Sequence, residues 1–198
     1  MLSTKQIPSP DGKAIEAFAS QAVFEEWIAR QDVGHEGIWI RFFKKNSGVD
    51  SITYAEALDI ALCYGWIYGP VRSADDISWI HKFVPRRQCS VWSQINKEHI
   101  ARLTREGRMK PQGTKQVDAA KADGRWDAAY ASSSTFEMPE YFMTALKQSP
   151  KAYDFYMKLP KSYRYHIYYQ LQSAKKATTR SSRVAKFLDM MERKEKPR

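Results

Sequence analysis

The residues best suited to chemistry lie in one short run, Phe83-Val84-Pro85-Arg86-Arg87-Gln88-Cys89-Ser90-Val91-Trp92-Ser93-Gln94-Ile95-Asn96. A strand ending at proline is followed by two arginines and by a helix that starts within two serines. Free backbone amides and the positive end of a helix favour a negative group. Guanidinium groups grip phosphate or carboxylate through paired hydrogen bonds. Ser90 and Ser93 add hydroxyl donors, and Asn96, three residues after Ser93, falls on the same side of the helix. Arg86, Arg87, Ser90, Trp92, Ser93 and Asn96 are therefore the candidate ligand-binding residues. An internal alternative has a serine capping the helix and the arginines paired with Asp75 or Asp76.

Other chemistries find less support. None of His35, His81, His99 and His166 stands three to five residues from another histidine or a cysteine, so zinc spacing is lacking. Acidic pairs such as Glu25-Glu26 and Asp75-Asp76 are adjacent and point apart on a helix. No metal site is expected. The glycine-rich loops that cradle nucleotides and the G-x-S-x-G elbow are absent, so no cofactor is expected and catalytic residues stay unassigned. Cys63 falls late in an apolar helix and reads as a buried structural thiol. Cys89 follows Arg86 and Arg87, a setting that can activate a thiol.

Composition bounds the partners. The chain has 198 residues, 43% hydrophobic and 27% charged, enough for a packed core and too apolar for wholesale disorder. No apolar run approaches the roughly 18 residues of a membrane span. The first eight residues lack the apolar stretch of a secretory signal, and two cysteines make no disulfide framework, so a reduced cytoplasmic protein is expected. The net charge of +10 is uneven: residues 1–100 hold 11 Lys/Arg against 12 Asp/Glu, residues 101–198 hold 21 against 10. Such a split suggests an anionic small molecule, an acidic protein or nucleic acid as partner. The run Tyr163-Arg164-Tyr165-His166-Ile167-Tyr168-Tyr169 interleaves aromatic and basic residues, as single-strand RNA binding requires. On a helix, however, Tyr165, Tyr168 and Tyr169 share a face that packs inward, and no nucleic-acid motif accompanies them.

The elements that must position these residues follow from periodicity. Residues 1–19, with Pro8, Pro10 and Gly12, read as a flexible arm. Ser20 caps a helix that places Phe24, Trp27 and Ile28 together. Ile38–Phe43 is rich in β-branched and aromatic residues and reads as a strand. Thr53-Tyr54-Ala55-Glu56 is a capping box opening a helix that Gly65 closes. Trp66–Gly69 reads as a second strand stopped by Pro70, and residues 77–84 as a third stopped by Pro85. From Ser90 the pattern is helical, with Pro111, Pro139, Pro150 and Pro160 each at a helix start and Gly107 and Gly124 at helix ends. A last helix from about Thr178 carries Val184, Phe187, Leu188 and Met191 on one face, and residues 192–198 fray into solvent. The expected class is α+β: a small sheet with helices in the first part and an all-helical basic second part. The expected domains are an arm at 1–19, an α+β domain at 20–134 and a helical region at 135–198 packed on it.

Five blocks occur in a fixed order: Gly65-Trp66-Ile67-x-Gly69, Pro85-Arg86-Arg87-x-x-Ser90-x-Trp92-Ser93-x-x-Asn96, Gly107-Arg108-Met109-x-Pro111-x-Gly113, Ala120-Lys121-Ala122-Asp123-Gly124-Arg125-Trp126 and Ala174-Lys175-Lys176-x-x-Thr179-Arg180-x-x-Arg183. Across residues 20–192 the chain resembles the YdeI/OmpD-associated family of bacteriocin-protection proteins, with residues 135–192 similar to its small helical OmdA-type region. The resemblance implies a bacterial stress-protection factor associated with tolerance of antimicrobial peptides, without implying a reaction. It also implies an acidic residue in the W-I-D-G segment, where this chain has Tyr68. The expected function is binding of an anionic small molecule or acidic partner. An enzyme acting on a phosphorylated or carboxylated substrate at the same residues, and an RNA-binding protein, are the alternatives.

Overall fold

The computed structural model describes residues 7–32, 34–174 and 176–197. Residues 1–6 of the expected arm and Lys175 of the last sequence block lie outside the described residues. The described residues form a mixed α+β chain with a four-stranded sheet and eight helices. It divides into two compact units, Met1–Ser90 with Glu98–Asp123, and Val91–Lys97 with Gly124–Arg198.

In the first unit, β1 (Ile15–Glu16), β2 (Ile38–Phe43), β3 (Trp66–Asp75) and β4 (Ser78–Pro85) lie in the order β1-β2-β4-β3. β1 runs parallel to β2, while β2–β4 and β4–β3 are antiparallel. Alternation sets the inner face: Ile38, Ile40 and Phe42 face the same way as their partners Phe83, His81 and Trp79. Two helices, α1 (Gln21–Ala29) and α2 (Tyr54–Cys63), supply Phe24, Ile28, Ala57 and Ala61 to the same core. Each large apolar side chain buried there contributes about 1.5–3 kcal/mol. Both helix starts are as expected: Ser20 Oγ accepts from Val23 N–H, and Thr53 and Glu56 complete a capping box.

Two expectations for this unit are corrected. The segment read as an arm contributes β1, and Phe18 is buried in the core. Pairing with β2 supplies the backbone partners that its prolines and glycine do not by themselves suggest. β3 does not stop at Pro70 but continues to Asp75. β3 is an edge strand, and its register slips between Tyr68 and Val71, so the missing N–H of Pro70 falls at a bulge and costs no ladder bond.

Helix α3 (Gln94–Arg105) is followed by α4 (Pro111–Ala122), which packs against α2 in the first unit. Gly107, at φ +66°, ends α3, and Pro111 opens α4. In the second unit α5 (Glu140–Lys147), α6 (Pro150–Lys158), α7 (Lys161–Gln172) and α8 (Ala177–Glu192) enclose a core of Phe142, Leu146, Tyr156, Ile167, Leu171 and Phe187. The three prolines sit at the cap or first position of α5, α6 and α7. The tail is another correction. Lys194 adopts φ 58°, and the amides of Lys194 and Glu195 donate to the carbonyls of Met191 and Met190 at 3.1 and 2.8 Å. This is a Schellman turn, which occupies the last carbonyls of α8 and turns residues 194–197 back. Pro197 is buried rather than frayed.

Of the glycines in the first unit, Gly113 lies closest against neighbouring backbone. A Cβ there would stand 2.1 Å from the Cys63 carbonyl oxygen. Helix propensity alone makes Gly113→Ala stabilising by about 1 kcal/mol. The contact reverses the sign: we expect a loss of about 1–3 kcal/mol in urea unfolding, because backbone must move to admit the methyl.

Candidate functional site

The first unit contains an open cleft of about 840 Å³ at the end of β4. Lys82, Val84 and Arg86 reach it from alternate positions along the strand and its exit. The turn between α1 and β2 brings His35 and Glu36, the end of α2 brings Tyr64, and α4 brings Gln112, Lys115 and Gln116. Five lysines and arginines line the cleft against two carboxylates, Asp32 and Glu36.

Part of this charge is already matched. Lys13 is paired with Glu36, and Lys82 with Asp11. The Lys82 ammonium and the Trp39 Nε1–H hold the Asp11 carboxyl down at about 2. The hydrogen bond from Lys13 likewise lowers Glu36. Arg87 and Lys115 have no carboxylate partner among the described residues. Arg86, 6% exposed, lines the cleft, its backbone N–H donating to Gly65 O at 3.0 Å. The positive surplus of the cleft therefore lies around Arg87 and Lys115.

His35 is held in a defined orientation. Gly37 N–H donates to its Nδ1 at 3.0 Å, which places the proton of the neutral ring on Nε2. Trp27 and Trp66 lie against the ring at 5.4 Å each. Gly37 itself, at φ +93°, lies so close to β4 that a Cβ would strike Phe83 O at 2.6 Å. Glycine is required there to bring the His35 turn up to the strand.

The six sequence-derived candidates are divided between the units. Arg86 and Arg87 line the cleft. Ser90 closes a turn, its Oγ accepting from Arg87 N–H at 3.0 Å. Trp92, Ser93 and Asn96 belong to the second unit. There Ser93 Oγ accepts from Asn96 N–H at 3.2 Å in N-cap fashion, and Trp92 packs edge-on against Trp126 at 4.9 Å. The carboxylate suggested as an internal partner, Asp75, is occupied by Arg41, Ser78 and Ile77 N–H. His35, Tyr64, Lys82, Gln112, Lys115 and Gln116 were not among the candidates. The signals for them were a glycine-flanked histidine and a polar stripe at i, i+3, i+4 on α4.

Neither cysteine is among the residues that line the cleft. Cys63 is buried, and burial pushes its thiol up to about 11. Cys89 is exposed. Among the described residues no group of three or more His, Cys, Asp and Glu could hold a metal ion. No helix among them is long and apolar enough to cross a membrane. The aromatic run of α7 is spent on packing within the second unit: Tyr168 OH accepts from Ala131 N–H at 2.8 Å, Tyr165 OH donates to Ala131 O at 3.2 Å, and Tyr169 meets Tyr130 edge-on.

Fold and cleft together define an α+β protein with an open cleft lined by five cations and two carboxylates. Residues 16–116 match the family described as Domain of unknown function (DUF8412), and residues 135–194 match Bacteriocin-protection, YdeI or OmpD-Associated. The chain belongs to the first of these families, whose model covers just over half of it, and its C-terminal helices are similar to the second. The family resemblance expected over 20–192 is therefore carried by the C-terminal part, and the N-terminal part matches a different family. No curated protein and no solved structure matches the chain.

The Asp11 contacts predict a sign for acid stability. Its folded value of about 2 lies below the ordinary 3.8, so the stability it adds is complete above about pH 5 and is lost as the pH falls from 3.8 towards 2. Thermal melts should show a gap between wild type and Asp11→Asn that is constant near neutrality and closes across that interval.

Proposed function

We propose that the protein is a cytoplasmic, non-catalytic factor in bacterial protection against bacteriocins and antimicrobial peptides, acting by holding an anionic small molecule in the first unit's cleft. The supporting observation is the cation surplus at Arg87 and Lys115 beside buried Arg86. Guanidinium and ammonium groups on a concave surface attract and retain phosphate or carboxylate. The OmdA-type helices supply the physiological context. A binding role is favoured because the described cleft lining contains no serine, threonine or cysteine, and its one hydroxyl, that of Tyr64, donates to Glu25 Oε1 at 3.3 Å.

Inorganic phosphate tests the reading directly. At a hundred times its dissociation constant a ligand adds about 2.7 kcal/mol of stability, or roughly 5–10 °C in a chain of this size. We expect wild-type melts at low salt to rise with phosphate. The Arg87→Ala/Lys115→Ala variant should melt at the wild-type temperature without phosphate and gain little from it. Bacteria producing the wild type should survive a bacteriocin dose that kills those producing the double variant. Absence of a phosphate shift in the wild type, or equal survival, would overturn the proposal.

A further inference from the structure

The cations of the cleft account for one negative group, but a second set of lining groups would be idle against a bare anion. Gln88, Gln112 and Gln116 line the cleft with side-chain amides that make no hydrogen bond to another described residue. Gln112 and Gln116 stand one turn apart on α4 with Lys115 between them, so two amides and an ammonium border one wall. Asp32 brings a carboxylate, one oxygen of which accepts from Gly34 N–H at 2.9 Å while the other stays available. The His35 ring adds an Nε2–H donor. Amides offer both donors and an acceptor, and a carboxylate accepts; hydroxyl groups, which donate and accept at once, match this mixture.

The aromatic residues of the cleft argue against a flat base. Trp66 is only 3% exposed, with Trp27 edge-on at 5.8 Å and His35 at 5.4 Å. The Lys110 ammonium lies over the Tyr64 ring, 5.7 Å from its centre. Base stacking needs a free aromatic face; Trp66 is buried, and the Lys110 ammonium occupies one face of Tyr64. The cleft, at about 840 Å³, holds a ligand several times larger than a phosphate ion.

We propose that the cleft binds a sugar phosphate, with Arg87 and Lys115 on the phosphoryl group and Gln88, Gln112, Gln116 and Asp32 on the hydroxyls. This rests on the anion-site reading above and narrows it to a ligand class. The test is isothermal titration calorimetry of the full chain at low salt. The probes are inorganic phosphate, a panel of hexose and pentose monophosphates, the same sugars without phosphate, and adenosine monophosphate. At least one sugar phosphate should bind about tenfold or more tightly than inorganic phosphate and than its own sugar, as two or three net hydrogen bonds would give. Gln112→Ala/Gln116→Ala should bring that sugar phosphate down to the affinity of inorganic phosphate and leave inorganic phosphate unchanged, with an unaltered melting temperature. If inorganic phosphate binds and no sugar phosphate exceeds it, the ligand class is wrong and the anion site stands. Tighter binding of adenosine monophosphate than of every sugar phosphate overturns the class in the same way. If inorganic phosphate and the whole panel fail to bind, the anion-site reading falls as well.

Discussion

The cleft exists because the last turn of α2 and the first turn of α4 approach without a side chain between them. Gly113 faces the Cys63 carbonyl, and a Cβ on Gly65 would come within 3.0 Å of Gln112 O. Gly65 takes φ +76°, which turns the chain from α2 into β3 within one residue. Its carbonyl accepts from Arg86 N–H, and the Cys63 carbonyl accepts from Lys110 N–H at 3.2 Å. One crossing thus joins the end of α2, the start of β3, the exit of β4 and the start of α4. Arg86, Arg87, Gln112, Lys115 and Gln116 meet at the cleft as a result. The same closeness buries Cys63 and suppresses its thiolate.

Net charge along the sequence does not locate the cationic cleft. The first hundred residues are nearly neutral, yet the cleft draws most of its lining from them. Their acids are committed elsewhere. Asp59 receives Arg102 at 2.6 Å and Arg108 at 3.4 Å, Asp75 receives Arg41 at 2.6 Å, and Glu25 receives Lys110 at 3.1 Å. Such partly exposed pairs each add about 0–1 kcal/mol, so they act mainly by removing carboxylates from competition. In the strongly basic second half, two arginines of the last sequence block serve a helix end. Arg183 donates to Gln170 O and Ser173 Oγ, and Arg180 to Ala174 O, which supplies positive charge to the carbonyl end of α7.

What could be read from the sequence was local. Capping residues, proline starts, glycine stops and the alternation of Ile38–Phe43 act within a few residues of one another, and those elements stand where expected. Features that depend on distant partners were missed. β1 exists only by pairing with β2, Pro70 is tolerated only because β3 is an edge, and Lys194 takes a glycine-like conformation because the Schellman bonds hold it. The site divides in the same way. Arg86 and Arg87 were visible as neighbours in sequence, whereas His35 and Gln112 reach the cleft from tens of residues away. The internal alternative of a capping serine matches Ser93, whose hydroxyl oxygen accepts Asn96 N–H, while that of Ser90 accepts Arg87 N–H in a turn.

Tyr68, standing where the family resemblance implies an acid, lies outside this arrangement. It pairs with Phe83 across the β3–β4 ladder, so its side chain faces the core side of the sheet. There it meets Tyr54 at 6.1 Å and His81 at 5.5 Å. His81 is stacked on Tyr54, its Nε2 bonded to Gly69 O, and burial lowers its affinity for a proton. A carboxylate at position 68 would stand beside that imidazole and favour its charged form. The tyrosine instead extends the aromatic cluster and leaves a neutral ring as the stable state. Neither Tyr68 nor His81 lines the cleft. A tyrosine at this strand position thus sets the packing on the inner face of the sheet and leaves the cationic and amide groups of the cleft untouched.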